Sequence, residues 1–261
     1  MFLQRRLTAT WQQKEACKAK IQQVYDHSHQ LYGAPKITHI LHQQGLHIAE
    51  RTVGVYMKEL GIRARWVKPG ITTTCYSDFR TQLQNLLQQR FTPVHPNAIW
   101  CTDITYIWTQ QGFVYLTCMM DLFSRKIIAW TLSRTLAVTA VVSTIQKALA
   151  VRPCKPQIIH SDRGSQFVSQ AYIQATQGIQ RSYSRKAYPY DNACIESFHA
   201  LLKREWLNQY TILDYDHAYR LVFEYIEAFY NTVRIHSHCN YLSPQEYEKQ
   251  YDKTNLLPTP A

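Results

Sequence analysis

Three acidic residues lie at positions from which their carboxylates could take part in chemistry. Asp103 falls inside a strand pattern rich in Ile, Thr, Tyr and Trp, where a buried carboxylate requires a partner or a metal ion. Asp162 ends a later predicted strand just before Gly164, a residue that lets the backbone bend sharply and approach a ligand. Glu196 lies one turn inside a predicted helix and shares a face with Asn192, His199 and Lys203. These placements could bring three carboxylates together.

Carboxylates that converge in this way suit phosphodiester chemistry. Cutting a phosphodiester requires an activated oxygen nucleophile and a stabilised leaving oxygen, and two Mg²⁺ ions about 3.5–4 Å apart serve both needs. Mg²⁺ takes oxygen ligands and keeps several waters, so a few carboxylates and a substrate phosphate suffice. Spacing alone leaves the alternative open that the three acids are helix caps or members of ion pairs.

The elements that must position these acids follow an α/β order. Apolar and alternating patterns predict five strands, at 99–108, 113–122, 126–133, 157–161 and 179–184. Helical patterns fall at 139–150, 166–177 and 191–208, the last of them capped by Asp191. The order of three strands, helix, strand, helix, strand and helix predicts a five-stranded sheet flanked by helices.

The first 68 residues read as a small, all-helical region. A helix is predicted over 11–32, and a turn that includes Pro35 leads into a second helix that Gly45 ends. A third helix runs from about Glu50 to Gly61, and the last two resemble a helix-turn-helix. The basic residues that follow could bind phosphates: Arg63, Arg65 and Lys68. A plain helical hairpin used for packing remains the alternative.

Composition shifts divide the chain into four segments. We predict a helix-turn-helix-like DNA-binding region at 1–68 and a linker with a short helix around 80–89 at 69–92. A catalytic core follows at 93–212, and a C-terminal helix and tail occupy 213–261.

Charge and cysteine content narrow the class of protein. The 261 residues carry a net charge of +11, and residues 1–90 hold 13 Lys and Arg against 5 Asp and Glu. Such a basic N-terminal part suits a polyanion, most simply nucleic acid, although a generic basic surface would have the same charge.

No apolar run approaches the roughly 18 residues of a membrane span, and no secretory signal is visible, so a cytoplasmic protein is expected. The seven scattered cysteines include no Cys-x-x-Cys pair and predict neither a disulfide framework nor a Cys-rich zinc site.

Five ordered motifs resemble a known family. They are His160-Ser161-Asp162-Arg163-Gly164-Ser165-Gln166-Phe167, Ser184-Arg185-Lys186 through Glu196-Ser197-Phe198, Trp100-x-x-Asp103-Ile104-Thr105-Tyr106, Asp121-Leu122-Phe123-Ser124-Arg125, and Tyr230-Asn231 with Arg234, His236 and Ser243-Pro244. Together they are similar to the OrfB class of bacterial insertion-sequence transposases, with an integrase-type catalytic core of the DDE kind. The region from Tyr32 to Gly61 is similar to the helix-turn-helix that precedes this core, so the resemblance covers nearly the whole chain.

The resemblance implies a fold, a metal site and a set of DNA contacts. The fold is ribonuclease H-like, and Asp103, Asp162 and Glu196 form the metal-binding catalytic triad for two Mg²⁺ ions, with Mn²⁺ able to substitute. Such cores usually place 35 residues between the last two acids, whereas 33 lie between Asp162 and Glu196 here, which we interpret as a family variant. The expected DNA contacts are Lys203, Arg185, Lys186, Arg163, Asn192, Arg63, Arg65, Lys68 and Arg234.

The resulting hypothesis is a DNA transposase that cuts and joins strands at element ends. Its partners would be element-end and target DNA and further copies of the chain in a synaptic complex. The resemblance also implies an upstream partner, OrfA, because OrfB is often the downstream half of a frameshifted transposase whose upstream half supplies a multimerising helix, and no leucine-patterned helix is visible here. It would work in the bacterial cytoplasm at the nucleoid. Two alternatives stay open: a ribonuclease H-like nuclease that does not join strands, and a catalytically silent DNA-binding regulator or remnant copy.

Overall fold

The structure is a computed structural model that describes residues 9–65, 83–186 and 188–256. The chain divides into two compact units, Met1–Lys68 and Pro69–Ala261. Lys68 and residues 80–82 of the predicted linker helix lie outside the described residues. No helix among the described residues is long and apolar enough to cross a membrane.

The first unit contains three helices, as predicted: α1 (Ala9–His27), α2 (Ala34–Gln43) and α3 (Glu50–Glu59). They pack through a small apolar core that includes Ile21, Ile37, Leu41 and Val53. Gly45 and Gly61 follow α2 and α3 with φ of 80° and 69°, a left-handed conformation that glycine adopts without strain. The predicted end of α1 at residue 32 is wrong, because His29 and Gln30 already have positive φ and turn the chain after His27.

The second unit is built on the five-stranded mixed sheet that the sequence predicts. Its strands are β1 (Ile99–Thr109), β2 (Gly112–Asp121), β3 (Ile127–Ser133), β4 (Ile158–Ser161) and β5 (Gln180–Tyr183). The spatial order is β3-β2-β1-β4-β5. The first three strands are antiparallel neighbours, whereas β4 pairs in parallel with both β1 and β5.

Helices cover the sheet and enclose its core. They are α4 (Val138–Val151), α5 (Gln170–Ala175) and α6 (Ala193–Glu205). A buried cluster joins the sheet to α4 and α5; it includes Trp100, Met119, Val141, Ile145, Ile159, Phe167 and Tyr172. The helix predicted over 166–177 is divided, because the 3₁₀ turn Ser165–Val168 precedes α5 and the Ser169 hydroxyl caps the new helix by accepting from the Tyr172 N–H.

The helix predicted around residues 80–89 is wrong for its described part. Residues 83–89 contain no helix and instead lie along β5. The Gln84 carbonyl accepts from the Tyr183 N–H at 2.9 Å, and the Ser182 hydroxyl accepts from the Leu86 and Leu87 N–H groups. These bonds satisfy the backbone that a helix would otherwise satisfy internally.

The C-terminal segment belongs to the same compact unit as the sheet. It contains α7 (Tyr215–Phe223), a π-helical stretch (Glu224–Tyr230) and α8 (Pro244–Leu256). The Asn231 side chain joins it to β3, donating to the Ile127 carbonyl and accepting from the Ile127 N–H. Buried ion pairs also bind it to the core: Arg234 with Glu205 at 2.6 Å and Glu248 with Arg152 at 2.7 Å.

Candidate active site

Parallel pairing of β1 with β4 brings two of the three acids together. Trp100 is paired with Ile159 and Cys101 with His160. Continuing this register by two residues places Asp103 opposite Asp162, at the end where β4 stops. Because parallel neighbours run in the same direction, the two carboxylates lie side by side where β4 ends.

The turn after β4 holds the Asp162 carboxylate in place. Its Oδ1 accepts a hydrogen bond from the Gly164 N–H at 2.9 Å. A Cβ on residue 164 would lie only 3.1 Å from that oxygen, so glycine permits the close approach. Burial, together with the negative charge of Asp103, raises the pKa of Asp162 to about 6.

Helix α6 supplies the third acid. Ile195, Phe198 and Leu202 bury one face of the helix, as their i, i+3, i+7 spacing predicts, and α6 packs against β1. Burial raises the pKa of Glu196 to about 7, and the charges of Asp103 and Asp162 act in the same direction. The charges of Asp103 and Asp162 therefore act on Glu196, although the three acids lie on three separate elements.

This donor set fits a divalent cation. Three mutually repelling carboxylates are costly unless protons or a cation compensate them, and hard oxygen donors are the ligands that Mg²⁺ and Mn²⁺ prefer. Across the described ranges, no group of three or more His, Cys, Asp or Glu side chains is arranged closely enough to hold a metal ion by itself. Mg²⁺ sites commonly complete their ligand shell with water and substrate phosphates, so an open carboxylate cluster matches a metal shared with a nucleic acid.

Two further side chains of α6 lie close to Asp103. The Nδ1 atom of His199 is 3.3 Å from Oδ2 of Asp103. Burial lowers the pKa of Lys203, while the negative charge of Asp103 acts in the opposite direction. The site thus includes the predicted DNA-contacting lysine together with a histidine to which the sequence assigned no role.

The loop between β5 and α6 contains three of the other predicted DNA contacts: Arg185, Lys186 and Asn192. Arg163 is bonded to this loop through the Ser184 carbonyl at 2.7 Å, and Lys186 is exposed. The Arg185 guanidinium is stacked 3.9 Å from the centre of the Tyr188 ring and makes two 3.0 Å hydrogen bonds to Asp191. Its side chain remains 54% exposed, so one surface of it faces solvent.

Asp191 does not cap α6 as predicted. It accepts from Arg185 and also from the side chains of Asn85 and Gln89, which lie about a hundred residues earlier in the chain. Asn192 occupies the cap position instead, without a side-chain capping bond. The Asn192 amide is buried, and neither its oxygen nor its nitrogen has a hydrogen-bond partner.

The remaining predicted DNA contacts lie apart from this loop. In the first unit, the Arg63 side chain is exposed, and Arg65 donates to the Gln30 side chain at 3.3 Å. Arg234 is in a different environment from the other basic residues, because its guanidinium is buried and makes two hydrogen bonds to Glu205. That arrangement stabilises the C-terminal packing and does not present a cation to a phosphate.

Sequence reasoning also passed over His160, which holds β4 and β5 in register behind Asp162. Its two ring nitrogens contact the hydroxyls of Ser182 and Ser184 at 2.8 and 3.1 Å. Burial lowers the pKa of His160 to about 4, so the ring is neutral near neutral pH. In the sequence, His160 appears as the first residue of the His160–Phe167 motif, which does not reveal its partners.

Family models match both units of the chain. Residues 93–189 match the model of an integrase core domain, and residues 177–244 match a second integrase core model. Residues 12–70 match an HTH-like domain, which agrees with the three helices of the first unit.

Curated relatives align over most of the chain. The transposase for insertion sequence element IS904 of Lactococcus lactis is 36% identical over 240 residues, covering 91% of this chain and 95% of that relative. Transposase InsF for insertion sequence IS3A of Escherichia coli is 33% identical over 249 residues, covering 94% of this chain and 86% of that relative.

A solved structure shares the fold at low sequence identity. In the cryo-EM structure of the simian T-cell lymphotropic virus intasome in complex with PP2A regulatory subunit B56 gamma, one chain aligns with a TM-score of 0.51 and 17% identity. The alignment covers 87% of this chain and 74% of that chain. It agrees with the integrase-type, ribonuclease H-like fold that the family resemblance implies.

Proposed function

The chain belongs to the insertion-sequence transposases of the IS3 family, and we propose that Asp103, Asp162 and Glu196 are the metal-binding triad with which it cuts and joins DNA. Membership in this family confirms the predicted transposase class, and the function of the chain is DNA transposition. The chain is a polynucleotidyl transferase with an integrase core, and its HTH-like region is a DNA-binding module.

One observation carries the assignment of the triad. The three acids lie on β1, at the end of β4 and on α6. Burial and the charge of neighbouring acids raise the pKa of Asp162 and of Glu196, with no basic group among the causes of either shift. With two divalent ions bound, such a site supplies an activated oxygen nucleophile and a stabilised leaving oxygen. We assign Mg²⁺ to this role, with Mn²⁺ as a substitute.

The chemistry consists of two in-line phosphoryl transfers at one site. In the first, the oxygen of a water molecule attacks the phosphorus at the element's end, and the bond to the 3′ oxygen breaks to leave a 3′-hydroxyl. In the second, that hydroxyl attacks a phosphodiester of the target strand, joining the two and releasing a target 3′-hydroxyl. The three carboxylates hold the metal ions, so no Ser or Tyr nucleophile and no protein–DNA bond are needed.

Several residues around the triad are suited to hold the DNA end. Lys203 extends from the same face of α6 as Glu196, and Lys186 and Arg185 lie on the loop before that helix. Phosphate contacts from this loop, and from Arg63 and Arg65 in the first unit, would fix the position of the duplex while the triad acts.

We further propose that the chain works in an assembly. Cutting and joining two element ends requires at least two active sites to meet, which favours a homo-oligomeric synaptic complex on DNA. An upstream OrfA segment would add a further DNA-binding module and a multimerising helix. Adding that segment to a joining reaction should raise the yield if it is a partner, and an unchanged yield would count against it.

The triad is tested by replacing Asp162 with Asn. We expect Asp162→Asn to lower strand transfer in Mg²⁺ by about 10³-fold or more, because metal-ion catalysis supplies several kcal/mol of transition-state stabilisation. Asp252→Asn, on the exposed side of α8, is the matched control and should keep full activity. Unchanged activity of Asp162→Asn would refute the assignment.

The same assay separates the two alternatives. A nuclease without joining activity would release cut ends and form no strand-transfer product. A silent DNA-binding regulator would bind element ends and neither cut nor join them. Joining that depends on a divalent metal excludes both.

A further inference from the structure

We propose that His199 is a positioning residue that holds the Asp103 carboxylate in the orientation needed to bind metal. The inference rests on the proposed triad and extends it to a residue that carries no assigned role. The imidazole Nδ1 lies 3.3 Å from Oδ2 of Asp103, slightly longer than an ordinary N–H···O hydrogen bond, and contacts of this kind are often long in a site without substrate.

Both partners of this contact are shielded from water. The His199 side chain is 6% exposed and the Asp103 side chain 17% exposed. His199 follows Phe198, whose ring packs at 4.7 Å from the ring of Tyr230 and anchors this turn of α6 in the core. An anchored helix restricts where the imidazole can go, so its contact can fix the direction of the strand carboxylate.

The second ring nitrogen shows which atom carries the proton. Nε2 of His199 is buried and has no hydrogen-bond partner. A neutral imidazole has one N–H, and a buried N–H without an acceptor is more costly than a bare nitrogen lone pair. The favoured tautomer therefore has its proton on Nδ1, which is the atom that faces Asp103.

This arrangement follows a general feature of metal sites. Carboxylates that bind metals are usually hydrogen-bonded by a neighbouring group, and loss of that group weakens metal binding by about 10–100-fold. His199 would play this part for Asp103 without touching the metal. Its removal should weaken metal binding while leaving the fold and all three acids in place.

Two substitutions of His199 by amide side chains of different length test the proposal. In His199→Asn the amide nitrogen can take the place of Nδ1, whereas in His199→Gln the longer side chain carries its amide towards the place of Nε2. We measure Mn²⁺ binding to the full chain without DNA, and thermal unfolding in metal-free buffer. His199→Asn should bind Mn²⁺ nearly as well as the wild type, and His199→Gln about 10-fold or more weakly, at similar unfolding temperatures.

Equal Mn²⁺ affinity of both variants and the wild type would overturn the proposal, and so would equal weakening in both variants. Asp162→Asn in the same titration separates this failure from a failure of the triad. If Asp162→Asn weakens Mn²⁺ binding and His199→Gln does not, the triad stands and His199 has no positioning role. If neither weakens it, the metal site itself lies elsewhere.

Discussion

Buried acids occur in two regions of the second unit, and their partners differ. In the C-terminal region, Glu248 accepts two hydrogen bonds from Arg152, at 2.7 and 3.1 Å, and one from Ser124 at 2.7 Å. Burial alone would raise the pKa of Glu248, but Arg152, Lys126 and Ser124 together outweigh it and leave the pKa below its ordinary value. Glu205 is likewise bound by Arg234 and by the Tyr225 hydroxyl.

At the candidate active site, burial and like charge act in the same direction. The pKa of Glu196 is raised to about 7, and the causes of that shift are burial, Asp103 and Asp162. The same residue type is therefore stabilised by an arginine in one region and destabilised by its neighbours in the other. An acid with a built-in cation strengthens a fold, whereas a cluster of acids without one is poised to bind a cation from solution.

Substitution of Glu196 should give the largest effect on activity. Glu196→Gln should lower strand transfer by about 10³-fold, because one metal-binding carboxylate is lost. Its unfolding temperature without metal should be unchanged or higher, since one of three repelling charges is removed. Strand-transfer assays and thermal unfolding measure the two quantities, and a large loss of stability together with activity would contradict the contrast between the regions.

Substitution of Arg234 should give the largest effect on stability. Arg234→Met leaves the buried Glu205 carboxylate without its cation and should lower the free energy of unfolding by about 3–5 kcal/mol. Urea denaturation measures this directly. A loss under about 1 kcal/mol would mean that the Arg234–Glu205 pair contributes little to stability. Weaker DNA binding by a variant of unchanged stability would instead support the original prediction that Arg234 contacts DNA.

Acidification should affect the two regions with opposite sign. An acid with a raised pKa binds its proton more tightly in the folded state, so protonation of Glu196 stabilises the fold as pH falls from about 7 towards the ordinary value of 4.5. The lowered pKa of Glu248 does the reverse: its stabilisation is present above 4.5 and is lost as pH falls through its folded pKa.

Difference curves isolate each contribution. Without metal, the unfolding midpoint of Glu196→Gln relative to the wild type should decrease as pH falls from about 7 to 4.5, because only the wild type gains that stabilisation. Glu248→Gln relative to the wild type should increase below pH 4.5, because only the wild type loses its ion pair. If both differences in unfolding midpoint changed in the same direction as pH falls, the two regions would not differ in how protonation affects their stability.

Much of this arrangement could be predicted from the sequence, because it depends on local pattern. Alternation and apolar runs predicted all five strands to within about two residues, and the face of α6 followed from helical spacing. The positions of Asp103, Asp162 and Glu196 on a strand, a strand end and a helix were predicted in the same way. Their assignment as ligands came from the family motifs and remains a proposal.

What the sequence could not predict depends on partners far along the chain. Arg234 was predicted to contact DNA, but Glu205 lies 29 residues earlier and neutralises it. Asp191 resembled a helix cap because its partner Asn85 is 106 residues away. The segment at 83–89 was predicted as a helix because the sequence does not show its hydrogen bonds to β5, about a hundred residues later.

The most direct test of the central claim changes the chemistry of one ligand. A thiolate prefers softer metals than Mg²⁺, so Asp162→Cys should abolish strand transfer in Mg²⁺ and recover a measurable part of it in Mn²⁺. Asp162→Asn, which supplies no anionic ligand, should stay inactive in both metals. Recovery in Mn²⁺ restricted to the cysteine variant would show that residue 162 binds the catalytic metal. Full activity of Asp162→Cys in Mg²⁺, or equal inactivity of both variants in both metals, would contradict the account.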